Sequence, residues 1–129
     1  MPFNSVVNNE RDIVVLKAKG KVSVMDIINE IQHAISTKRG DGITRRLIDM
    51  RDQEFSYDLE DAKKILKMME ASADVLGSKR MAVLFKEIPD SIEFKKIISL
   101  LNSATLEIEL FTDKAKAVQF LNKPSGQNL

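Results

Sequence analysis

The stretch from Asp49 to Asp58 gathers the side chains best suited to polar chemistry. Asp49, Arg51, Asp52, Glu54, Ser56, Tyr57 and Asp58 follow one another closely there. Carboxylates in such a group can accept protons or hold a hard cation such as Mg²⁺ or Ca²⁺. Arg51 is near enough in sequence to pair with Asp49. Ser56 precedes a predicted helix, where backbone N–H groups and the helix dipole favour an added phosphate. Two readings stand side by side. In one, this segment is a binding loop at the carboxyl end of a strand, the customary ligand edge of an open α/β sheet. In the other, Asp49 and Arg51 form a structural pair while Ser56 or Asp58 caps the next helix. Phe55 and Tyr57 flank the cap, either packed as a hydrophobic staple or exposed to a partner.

Outside this stretch the means for catalysis are sparse. The chain has no cysteine and one histidine, His33, which excludes disulfides, thiolate nucleophiles and Cys-ligated metals. His33 lies about half a turn from the Ile27, Ile28 and Ile31 stripe of its predicted helix, which predicts a solvent-facing imidazole. Gly40-Asp41-Gly42 reads as a turn and matches neither phosphate-binding glycine motif. The sequence therefore predicts no enzyme, no catalytic residue, no metal site and no cofactor.

The elements that must position these residues follow from periodicity. Phe3–Val7 and Ile13–Leu16 are strand candidates. The turn-forming Asn8-Asn9-Glu10-Arg11-Asp12 between them predicts a hairpin, with Gly20 closing the second strand. Ser23 and Asp26 make an approximate capping box for a helix whose Val24, Ile27, Ile28, Ile31 and Ile35 form one apolar stripe. After a turn over 38–44 comes a strand, 46–50, and the polar loop 51–57. A helix over 58–76 buries Leu59, Ala62, Ile65, Leu66, Met69 and Ala73, and Gly77 caps it. The apolar run 81–85 predicts a strand covered on both faces. A helix after Pro89 turns Phe94, Ile97, Ile98 and Leu101 inward. Leu106, Ile108 and Leu110 alternate with Glu107 and Glu109, the mark of a strand near an edge. Thr112 is expected to cap a last helix burying Ala117, Val118 and Leu121. The fold class is thus α/β, in the order β-β-α-β-α-β-α-β-α, with a mostly parallel sheet, one antiparallel edge strand and flanking helices. Residues 1–122 read as a single domain and 123–129 as a flexible tail.

With 20 basic and 19 acidic side chains the net charge is +1, and the two signs are interleaved, so nucleic acid is not an expected partner. Neither a signal peptide nor an apolar run of membrane-spanning length is seen, and a soluble, cytoplasmic protein is expected. Lys63, Lys64, Lys67, Lys79, Arg80, Lys95 and Lys96 allow a basic patch and peripheral membrane contact, or a solvated helix face. Met25, Met50, Met68, Met69 and Met81 read as core filling or as a Met-lined pocket.

Three stretches carry a resemblance: Leu47-Ile48-Asp49-Met50-Arg51, Lys79-Arg80-Met81-Ala82-Val83-Leu84, and the closing Glu109-Leu110-Phe111-Thr112-Asp113 with the helix to Leu121. In order and spacing the chain resembles the STAS domain superfamily, in its anti-anti-sigma-factor-like, SpoIIAA-like branch. The resemblance implies a non-enzymatic regulatory module that binds a protein partner. The branch also suggests a carrier for a small apolar or lipid-like ligand. It further implies phosphorylation at Ser56, although the family's Asp-Ser-Gly pattern is here Phe55-Ser56-Tyr57-Asp58.

Overall fold

The computed structural model describes residues 3–54, 59–88, 92, 96 and 106–123. Of the helix expected after Pro89 only Ile92 and Lys96 are among them, both helical, and Phe55, Ser56, Tyr57 and Asp58 lie outside them.

Among the described residues the elements are β1 (Phe3–Asn8), β2 (Ile13–Lys21), α1 (Val24–Ser36), β3 (Arg45–Glu54), α2 (Leu59–Leu76), β4 (Arg80–Leu84), β5 (Glu107–Phe111) and α3 (Lys114–Leu121). One sheet runs in the order β1-β2-β3-β4-β5. β1 is antiparallel to β2, and the remaining neighbours are parallel. This is the predicted α/β architecture, and β5 lies at the predicted edge.

The hairpin closes where the polar turn was read. Asp12 adopts φ 53, a left-handed conformation that Asp tolerates better than most residues. The carboxylate of Asp12 accepts hydrogen bonds from the Thr44 backbone N–H (2.9 Å) and hydroxyl, tying the hairpin to the start of β3. Those bonds, led by the hydroxyl, hold the Asp12 carboxyl below its ordinary range.

Both halves of the capping box form on α1, with Asp26 N–H donating to Ser23 Oγ (3.0 Å) and Ser23 N–H to Asp26 Oδ2 (2.9 Å). Gly77, at φ 81, ends α2, and its N–H and that of Ser78 donate to the Ala73 carbonyl. The Gly42 N–H reaches the Leu76 carbonyl at 2.8 Å, so the α1–β3 turn satisfies another open end of α2.

The helices divide between the two faces of the sheet. On one face Ala73 and Met69 of α2 pack on Ile48, Met50, Met81, Val83, Ile108 and Leu110, and α1 packs beside α2. On the other face Ala117, Phe120 and Leu121 of α3 pack on Leu47, Ala82, Leu84 and Phe111, with Ile13 and Val15 at the margin. β4 is covered on both sides, and Met81, Ala82, Val83 and Leu84 are all buried. Met50, Met69 and Met81 are core filling, whereas Met25 is exposed.

Local signals misplaced some boundaries. Asp113, not Thr112, is the N-cap of α3, its Oδ1 accepting the Ala115 N–H at 2.8 Å. Phe120 joins Ala117 and Leu121 as the buried set of that helix, while Val118 is half-buried. β2 continues through Gly20 to Lys21 because β3 continues beside it.

Two arginines on neighbouring strands hold the carboxyl end of α3. Arg45 donates to Asn122 Oδ1 (2.6 Å) and the Leu121 carbonyl (3.4 Å), and also to the Asp12 (3.1 Å) and Arg11 carbonyls of the hairpin turn. Arg80 donates to the Phe120 (3.3 Å) and Lys123 carbonyls and lies 5.9 Å from the Phe120 ring centre. A positive group at a helix carboxyl end is favoured by the dipole as well as by the open carbonyls. Arg45→Ala is expected to cost about 1.5 kcal/mol, since several bonds vanish but water can replace part of them. Arg45→Lys should recover little, because one ammonium cannot span both the turn and the helix end. Thermal unfolding of the three proteins measures this.

Candidate functional site

The polar residues at the carboxyl end of β3 are placed by an irregularity in the ladder. Lys17 of β2 lies opposite Asp49, but Lys19 lies opposite Asp52, so β3 spends one extra residue between the two pairs. Such a bulge re-aims the side chains beyond it. Had the register continued unshifted, Lys19 would face Arg51 and Lys21 would face Gln53. With the bulge, Lys17, Lys19 and Lys21 are registered with Asp49, Asp52 and Glu54. Opposite charges directly across a ladder attract, and like charges there repel. The bulge therefore turns a repulsive register into a favourable one.

Asp49 shares its face with Leu47 and is only 6% exposed. Its Oδ1 accepts from the Arg51 backbone N–H (3.1 Å) and Nε (2.9 Å), and its Oδ2 from the second guanidinium nitrogen (2.8 Å). This fork matches the carboxylate on two oxygens and fixes the pair's geometry. The Arg51 hydrogen bond holds the Asp49 carboxyl below its ordinary value, against burial that pushes it up, with Lys17 assisting. The same bond raises the Arg51 guanidinium. Lys17 Nζ lies 3.4 Å from Asp52 Oδ2, with both side chains more than half exposed. Lys17, Asp49, Arg51 and Asp52 thus form one ion-paired rim.

The expected loop over 51–57 is in part strand, because Arg51, Asp52 and Glu54 belong to β3. Only the backbone of Glu54 is described. Ser56, Tyr57 and Asp58 lie outside the described residues, as do Phe55 and the phosphate-acceptor reading of Ser56. The structural pairing of Asp49 with Arg51 is present. Lys17 was missed by the sequence reading, and its signal was a charged residue interrupting the apolar run of β2. Gln53 Oε1 is buried without a hydrogen-bond partner among the described residues.

The other sequence candidates are dispersed. His33 is exposed, and its backbone carbonyl accepts from the Ser36 and Thr37 hydroxyls. Lys63, Lys64, Lys67, Lys79 and Lys96 are exposed, and Lys63 stands 4.0 Å from Glu60. Arg80 is engaged at the end of α3. Lys95 lies outside the described residues, as do Phe94, Ile97, Ile98 and Leu101, which the apolar-pocket reading requires. Among the described residues no group of three or more His, Asp or Glu is arranged to hold a metal. No described helix is long and apolar enough to cross a membrane.

No protein-family model matches the chain, and no curated protein matches it. Solved structures do. An uncharacterized protein of the DUF3478 family from Shewanella loihica PV-4, with a SpoIIAA-like fold, is 20% identical over 92% of this chain and 91% of its own, with a TM-score of 0.57. The anti-sigma factor antagonist SpoIIAA in its unphosphorylated form is 13% identical over 95% of this chain and 99% of its own, with a TM-score of 0.55. The protein TM1081 is 14% identical over 95% and 90%, with a TM-score of 0.52. The element order, the single antiparallel edge pair and these likenesses agree: this chain has the SpoIIAA-like α/β fold.

Proposed function

We propose that the chain acts by binding a partner protein, with no chemistry of its own. Its contact surface is the rim of Lys17, Asp49, Arg51 and Asp52 on β2 and β3, which begins where β4 ends beside Asp49 and is followed in the chain by the segment that carries Ser56. The observation that supports this most is the exposed Lys17–Asp52 pair beside a rigid Asp49–Arg51 fork. Fixed charges that stay in contact with water steer encounter and set register with a complementary surface. The likeness to an anti-sigma factor antagonist lends the fold-level support for a binding role; a fold alone does not carry function.

Ser56 is the proposed regulatory position, where added negative charge would change the rim's match to its partner. The test is affinity capture with crosslinking from the source cells, comparing wild type with Lys17→Glu, Ser56→Ala and Ser56→Asp. Lys17→Glu places two acids together and should lower recovery of the specific partner at least about tenfold, with little effect on melting. Ser56→Ala and Ser56→Asp should move recovery in opposite senses. Identical capture profiles for all four proteins would remove the proposal.

A further inference from the structure

We infer that the free edge of β1 is a docking surface for a second copy of this chain, joined β1 to β1 in antiparallel fashion as one continuous sheet. β1 ends the strand order, and its ladder within the chain is with β2 alone. Its far edge therefore carries backbone N–H and C=O groups that no described strand covers. Proteins commonly blunt such edges with charge, proline or a bulge. The other edge follows that rule, since β5 carries Glu107 and Glu109, and Glu107 stands 3.7 Å from Arg80. β1 does not. Phe3-Asn4-Ser5-Val6-Val7-Asn8 contains no charge and no proline, and its register with β2 is unbroken.

The strand also leaves apolar surface on both of its sides. Val6 is 61% exposed on the α3 face, and Val7 is 38% exposed on the α1/α2 face. α3 packs on β3, β4 and β5, and Val6 lies beyond its reach. Pairing β1 with another strand would cover both valines at once.

Charge and symmetry indicate that the occupant is the chain itself. Around a two-fold axis normal to the sheet, like faces lie on the same side, so residues of the same alternation phase must meet. Centred on Val6, this puts Val6 opposite Val6, Asn4 opposite Asn8, and Ser5 opposite Val7. A charged residue on that axis would meet its own like charge, so the central residue of a self-pairing strand must be neutral, as Val6 is, and the off-axis positions of β1 add no charge that would repel. The same operation at β5 would crowd its glutamates together. Pairing through β1 is closed, because it uses both neutral edges and leaves only the acidic ones outside.

The inference uses none of the rim around Asp49 and stands apart from the proposed function. Sedimentation equilibrium of the full chain over a roughly hundredfold concentration range should give a mass rising from one copy to two. Amide exchange in β1 should slow over the same range. Val6→Lys puts two ammonium groups on the axis and should weaken the dimer at least about tenfold, whereas Val6→Thr should retain it. Val6 is exposed, so the melting temperature at low concentration verifies that both variants fold. A one-copy mass at every concentration overturns the inference, and so does a dimer that Val6→Lys leaves intact.

Discussion

Gly40→Ala is expected to destabilise the protein by about 3 kcal/mol, whereas Gly42→Ala, two residues on, should cost only about 1 kcal/mol. Both glycines have positive φ, 67 and 83, so each substitution carries the left-handed penalty of an L-residue. They differ in space. A Cβ at Gly42 meets nothing, but one at Gly40 overlaps Val14 Cγ2 and comes within 3.3 Å of an Arg46 guanidinium nitrogen. Val14 is buried and cannot swing aside. Arg46 is committed as well, donating to the Gly40 (3.2 Å) and Arg39 (3.3 Å) carbonyls and to the Ser78 hydroxyl. Burial, with the nearby Arg39 charge, already pulls the Arg46 pKa down, so loosening its carbonyl contacts is costly. Urea unfolding of the two variants supplies the comparison. Equal losses would mean that the Val14 contact relaxes at no cost.

Arg51→Ala should cost about 2 kcal/mol near neutral pH, and that loss should shrink as the solution is acidified. Removing one partner of a buried pair strands the other's charge. Here the side chain of Asp49 is 9% exposed and that of Arg51 is 37% exposed, so water softens the penalty below that of a fully buried pair. In the wild type the folded Asp49 pKa is depressed. Its stabilisation is therefore present above the unfolded value of about 3.9 and is lost as pH falls through the lower folded value. Without Arg51 the hydrogen bond from the guanidinium is gone and burial remains, so the folded pKa rises. The carboxylate then destabilises at neutral pH and ceases to do so once protonated. Stability curves of the two proteins should converge as pH falls through the lowered wild-type value. Parallel curves would assign the pKa of Asp49 to groups other than Arg51.

What the sequence made legible was local. The turn at Asn8–Asp12, the Ser23–Asp26 capping box and the Gly77 stop each depend on contacts within a few residues, and each formed as read. The apolar run 81–85 implied double coverage, which Met81–Leu84 have while Phe85 lies just past the strand's end, and the alternation of β5 implied an edge. The ends of β2 and β3 were not legible, because Lys19-Gly20-Lys21 and Arg51-Asp52-Gln53-Glu54 lack any apolar rhythm. They remain strand because they pair with each other, a condition neither segment states alone. The rim suffered for the same reason. Asp49 and Arg51 are neighbours in sequence and could be matched, whereas Lys17 meets Asp52 only through the bulge. Arg80 was read as part of a basic patch or a solvated face, and Arg45 drew no reading, because only α3 laid across the two strands gives them their partners.

The extra residue in β3 works as a phase shifter between two rows of charge. Without the extra residue the two rows would still meet, Lys19 opposite Asp52 and Lys21 opposite Glu54, in an unbroken ladder. The added residue instead gives Arg51 the room to fold back on Asp49 while the charges beyond it stay matched. A one-residue deletion between Asp49 and Asp52 is therefore expected to spare the outer charge pairs and to cost the Asp49–Arg51 fork instead.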